Sequence, residues 1–286
     1  MTCPRLVAYA MVACLCLAGT ASAQERAFAL PGQALQAEGG LVGGFDVVFL
    51  KAHGGDFDQL AHQSISPDPL APNNDYEISP RVWLGYVGQS GFGVRGRWFQ
   101  YQHDLKAGTG VFDEVVGRNY LDVYAVDVEF TQQVALGCWN LNTGAGLRAG
   151  GVTRQATIEM LGQPPETLTS RFEGIGPTLF AELKRPIMGT GFSLIANGRG
   201  SLLFGDSTLE WTMSEVAPSR SDIVVTVGEI QLGVEYARQL GYGATGFVQG
   251  LWEGQLWANS SIPGLFGTSR DDLGLTGVAF NFGITR

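Results

Sequence analysis

The chain has 286 residues, of which 45% are apolar, only 16% are charged and 41 are glycine. Its formal charge of −9 and pI near 4.8 exclude a general basic footprint for nucleic acid. An aromatic share of 10% excludes a disordered chain. Beyond the first apolar run, no stretch nears the ~18 residues of a membrane helix.

Residues 1–23 read as a secretory signal: Arg5 supplies the positive start, Leu6 to Gly19 the apolar run, and Ala21-Ser22-Ala23 the cleavage site. Three of the four cysteines, Cys3, Cys14 and Cys16, fall within it. The exported chain keeps Cys138 alone and forms no internal disulfide. Cys138 lies in an alternating run and is expected as a small buried side chain. Residues 24–40 read as an N-terminal extension and 41–286 as one β domain.

From residue 41 onward, apolar and polar residues alternate with period two. Strands are predicted over 43–53, 77–88, 91–103, 119–131, 134–149, 167–184, 190–205, 221–238, 241–257 and 271–285. Short connections fall at 88–90, 132–133, 185–189 and 239–240. Long polar ones fall at 54–76, 104–118, 150–166, 206–220 and 258–270. The two kinds alternate without exception, the layout of outer-membrane barrels with short periplasmic turns. The predicted fold is therefore an all-β, antiparallel transmembrane β-barrel of ten strands, with eight or twelve as alternatives. Closure gives every strand a partner on both sides, which lipid demands.

Aromatic residues on the outward faces point the same way. Tyr86, Phe92, Phe130, Phe192, Tyr236, Tyr242 and Phe282 sit beside the short-turn ends. Trp98, Phe204 and Trp252 are expected nearer the long-loop ends, giving two girdles around an aliphatic band. The opposite faces carry Asp46, Arg81, Arg95, Arg97, Asp127, Glu129, Arg148, Glu182, Arg199, Glu229, Glu235 and Glu253. Asn140, Asn142, Asn197, Gln231, Gln249 and Gln255 join them. Five arginines against seven carboxylates fit either an ion-paired plug or a narrow pore with mild cation preference. Ten strands leave at most a narrow passage, so both alternatives stand.

Catalysis has little support. His53 and His103 lie near the long-loop rim, with Asp56 and Asp104 close in sequence. Neighbours in sequence are not a geometry, and no G-x-S-x-G element or Cys/His metal cluster occurs. The expectation is a chain that is not an enzyme and carries no cofactor or metal.

Six stretches recur in order along the chain: Asp75-Tyr-Glu-Ile-Ser-Pro-Arg-Val-Trp-Leu-Gly-Tyr86, Gly91-Phe-Gly-Val-Arg-Gly-Arg-Trp98, Gly137-Cys-Trp-Asn-Leu141, Arg171-Phe-Glu-Gly-Ile-Gly-Pro-Thr178, Asn197-Gly-Arg-Gly-Ser-Leu-Leu-Phe-Gly205 and Gly254-Gln-Leu-Trp257. The ordered set resembles the Legionella-type major outer membrane protein family. The resemblance implies an outer-membrane β-barrel with pore formation as the family's assigned role, and it brings no catalytic residues. The expected function is a narrow pore for ions or small solutes; the alternatives are a non-conducting structural or surface-interaction barrel acting through its long external loops and, third, a rim-site hydrolase. The last strand ends in Arg286 rather than an aromatic residue, a departure from the usual barrel-assembly signal. Expected partners are outer-membrane lipid, the barrel-assembly machinery and small ions or solutes, with no nucleic acid.

Overall fold

A computed structural model describes residues 39–54, 76–109, 115–160, 164–187, 189–212, 219–260 and 272–286. All of them belong to one unit, Ala34–Arg286. The signal at 1–23, residues 24–38 of the extension, and Asp56 lie outside the described residues.

Ten strands follow in order: β1 Gly40–Gly54, β2 Glu77–Val87, β3 Phe92–Thr109, β4 Val115–Leu136, β5 Trp139–Met160, β6 Glu166–Pro186, β7 Phe192–Trp211, β8 Ser219–Gly241, β9 Ala244–Ala258 and β10 Leu273–Thr285. Each pairs antiparallel with its neighbours in sequence, and β1 pairs with β10 to close the barrel. Period-two sequence is what permits this, because each strand presents one face to the lumen and one outward. On β4, Leu121, Val123, Ala125, Asp127 and Glu129 are buried inside, while Val126, Val128 and Phe130 are exposed outside.

Two predicted turns lie elsewhere. The β4–β5 hairpin turns at Gly137-Cys138, beyond the expected Gln132-Gln133, and the β8–β9 hairpin turns at Tyr242-Gly243, beyond Gln239-Leu240. Glutamine polarity suggested a turn, but positive φ decides where the chain reverses. Gly137 has φ 62°, and Tyr242 and Gly243 have φ 52° and 74°. Cys138 therefore sits exposed at a turn tip rather than buried in a strand.

The expected connections 104–118, 150–166 and 206–220 are mostly strand. There β3 to β8 continue past the level where β2 and β9 begin and end, and polar residues on both faces hide the alternation. The register also fixes the barrel's shape. From Val42 the register partners run Gly85, Arg95, Glu129, Gly146, Thr178, Ser201, Val227, Trp257 and Leu273, returning to β1 at Gly54. One circuit thus climbs twelve residues over ten strands. With ordinary strand spacing, that shear tilts the strands by about 40° and gives a Cα radius of about 10 Å.

Candidate functional site

Because each strand step climbs 1.2 residues, height must be read along the barrel axis. Counted in residues above Val42 with this correction, the lumen sorts into three tiers. The middle tier lies at levels of about four to seven and contains Asp46, Arg81, Arg97, Asp127, Arg148, Arg199, Glu229 and Glu253. None of their side chains is more than 8% exposed. Above it, toward the long-loop end, an apolar tier of Leu50, Tyr101, Leu121, Val123, Phe172, Leu203, Trp257 and Leu273 is buried. Below it, a polar tier at the short-turn end contains Arg95, Asn142, Glu182, Lys184, Asn197 and Glu235.

The middle tier holds two ion-paired clusters, Asp46–Arg81–Glu253 and one that joins Arg97, Asp127, Arg148, Arg199 and Glu229. Arg81 donates to Asp46 at 3.1 Å and forks onto both oxygens of Glu253. Arg148 Nε reaches Asp127 at 2.6 Å, and its Nη1 reaches Glu229 at 2.6 Å. Arg97 Nη2 donates to Glu229 at 2.9 Å while its Nη1 lies 3.4 Å from Asp127. Arg199 pairs with Glu129 and lies 3.6 Å from Asp127. Adjacent pairs such as Asp46–Arg81, Arg97–Asp127 and Asp127–Arg148 are register partners, so the sheet itself positions them. The bond from Arg97 to Glu229 is different. It joins β3 to β8, five places apart in a ring of ten, and so crosses the lumen. Phe99 and Phe180 line the layer as ring faces for Arg81, at 5.0 Å, and for Arg95, at 4.4 Å.

All twelve charged residues expected on the inner faces take part in ion pairs. Arg95 pairs with Glu129 at 2.8 Å and Glu182 at 2.7 Å, and Glu235 pairs with Lys184. Sequence reasoning missed Lys184, although it stands two residues beyond Glu182 and shares its face. It also missed the apolar tier, because a polar interior was expected. Of the expected amides, Gln231 and Gln255 donate to Glu253, Asn142 to Glu182 and Gln249 to Glu235.

On the outside, Tyr86, Phe92, Phe130, Phe192, Tyr236 and Phe282 are exposed near the short-turn end, with Phe92 stacked on Phe130 and Phe192 against Tyr236. Three expected girdle positions differ. Tyr242 is 99% exposed in the β8–β9 turn rather than on a strand face. Trp98 and Trp252 adjoin Arg97 and Glu253, so they lie level with the middle tier and not at the long-loop rim. Counting residues from the turns ignored both the shear and the extra strand length above them.

The rim histidines do not share an acid. His53 is exposed and its Nε2 lies 2.9 Å from Thr276 Oγ1. His103 is 2% exposed, and its Nδ1 lies 2.9 Å from Glu77 rather than beside Asp104.

A closed, sheared, ten-stranded antiparallel barrel with an apolar exterior and a charged interior defines a class, the β-barrel of membrane type. Residues 44–285 match the family described as Legionella pneumophila major outer membrane protein precursor, and the chain belongs to that family of outer-membrane proteins. No curated protein sequence matches it. Among solved structures it is similar to the outer membrane protease OmpT from Escherichia coli, with 9% identity over 86% of this chain and 92% of that one, and a TM-score of 0.41. It is also similar to the β domain of the Bordetella autotransporter BrkA, with 11% identity over 86% and 98% and a TM-score of 0.39. The Pseudomonas putida toluene transporter TodX matches with 9% identity over 86% and 88% and a TM-score of 0.31. Similarity this distant transfers no function.

Proposed function

We propose that the chain is a structural outer-membrane barrel whose lumen is held shut by its own side chains, rather than an open porin. The observation that carries this is the bond from Arg97 to Glu229 across the ring, within a layer whose side chains are at most 8% exposed. An ion passing through must separate buried pairs, and stranding one charge costs several kcal/mol. The buried tier above is built mainly of apolar side chains, poor substitutes for an ion's hydration shell. In this reading the exterior aromatic residues meet headgroups, the short turns face the periplasm, and a signal cleaved after Ala23 exports the chain.

Planar-bilayer recording of the refolded mature chain tests the proposal. The expected result is a quiet membrane at moderate voltage. Stable single-channel steps from pure, folded protein would overturn it in favour of a narrow pore. Heat modifiability on a denaturing gel establishes that the recorded material is folded.

A further inference from the structure

Phe247, Gly283, Gly44 and Trp83 are successive register partners across β9, β10, β1 and β2. All four face the lumen at the short-turn end. A Cβ added to Gly44 would stand 2.8–2.9 Å from the Trp83 ring, and one on Gly283 would strike the Phe247 ring. The indole and phenyl groups therefore lie down over the two glycines, with centroids 6.3 Å apart and planes within 22°. Any larger residue at either glycine would lift a ring off the wall. The result is a flat aromatic surface spanning four strands, and both rings are half-buried.

The facing wall is polar. Glu182 and Lys184 keep 27% and 30% of their side chains exposed, against at most 8% in the ion-paired tier, so this end of the lumen is open to solvent. Asn142 and Asn197 are half-buried on the neighbouring strands β5 and β7, and Gln249 is half-buried on β9 beside the platform. Two half-buried amides keep an oxygen free for a hydroxyl: Asn197 and Gln249 spend their nitrogens on Gln231 and Glu235, and Gln249 stands two residues from Phe247 on β9.

We propose that this mouth binds a saccharide ring, the platform taking its C–H face and the amides its hydroxyls. A flat apolar surface with a few convergent polar groups is the usual make-up of a small-molecule site. Hydroxyls both donate and accept, which suits unpaired amide oxygens opposite carboxylates that are already ion-paired. A cationic ligand would meet Lys184 and Arg95, and an anionic one would meet Glu182 and Glu235. A neutral polyol meets neither penalty. The side from which the sugar arrives rests on the orientation proposed above; the binding itself does not.

Titration of the refolded chain with maltotriose and with the N-acetylglucosamine trimer, followed by calorimetry and tryptophan fluorescence, tests this. At least one trimer is expected to bind saturably, and Trp83→Leu and Phe247→Leu each to weaken it about tenfold. Tighter binding of the acetylated trimer indicates a cell-wall glycan as the source, and of maltotriose a free oligosaccharide. Should a platform variant not fold, Gln249→Ala keeps both rings and must still weaken binding several-fold. No saturation by either trimer up to about 20 mM, or unchanged affinity in the folded variants, overturns the proposal. Channel steps in a chain that binds sugar would remove the closed-lumen reading and leave this one standing.

Discussion

Arg81→Ala is expected to destabilise the folded barrel by about 3–5 kcal/mol, because one substitution strands two buried carboxylates. Asp46 is 3% exposed and Glu253 is fully buried. Asp46 Oδ1 already lacks a hydrogen-bond partner, so little remains to hold that charge once the guanidinium is gone. Urea unfolding of detergent-refolded protein measures the loss. The control is Arg171→Ala, which breaks a pair whose side chains are 56% and 49% exposed. That change is expected to cost no more than about 0.5 kcal/mol. The triple variant Asp46→Asn, Arg81→Met, Glu253→Gln removes the charges together and is expected to return to within about 1 kcal/mol of wild type. Wild-type stability in Arg81→Ala would show the layer to be hydrated, and the closed lumen would fall with it.

The strand count was legible because alternating runs are set apart by connections, and the sides of the charged residues because they depend only on parity. Arg81, Arg95 and Arg97 alternate with Val82, Val94 and Trp98, and no choice of strand end moves them to another face. Strand ends were less legible. Polar residues such as Gln132 and Gln239 read as turns, yet they continue strands because the positive-φ positions come later, at Gly137 and Tyr242. Where β3 to β8 project beyond their neighbours, neither face is consistently apolar, and the pattern that marks a strand vanishes.

Partnership was not legible at all. Arg97 meeting Glu229 depends on bringing β3 opposite β8, which follows only from closure at ten strands with a shear of twelve. Nor does parity reveal that Trp83 and Phe247, three strands apart, lie over glycines on the two strands between them. That arrangement is a property of four registers at once. Sequence therefore supplies the faces, and the register decides which residues meet on them.

The same shear makes a depth prediction that residue counting would get wrong. Val128 is 56% exposed and stands beside Asp127 and Glu129, so it lies at the height of the ion-paired layer, midway up the outer face. Ile284 is 48% exposed and lies level with Tyr86 and Tyr236 at the short-turn edge. From that edge to Phe204 the outward apolar residues span about ten levels of about 2.6 Å, close to the roughly 25 Å apolar band of membrane barrels. Val128→Arg is then expected to cost about 2–4 kcal/mol in lipid, and Ile284→Arg no more than about 1 kcal/mol. Trp98 and Trp252 share the level of Val128, so lipids brominated deep in the acyl chain should quench them more than lipids brominated near the headgroup. Refolding into vesicles and comparing both substitutions by chemical denaturation checks the energetic half. Equal costs at the two positions, or strongest quenching by the shallow label, would place the lipid band elsewhere on this barrel.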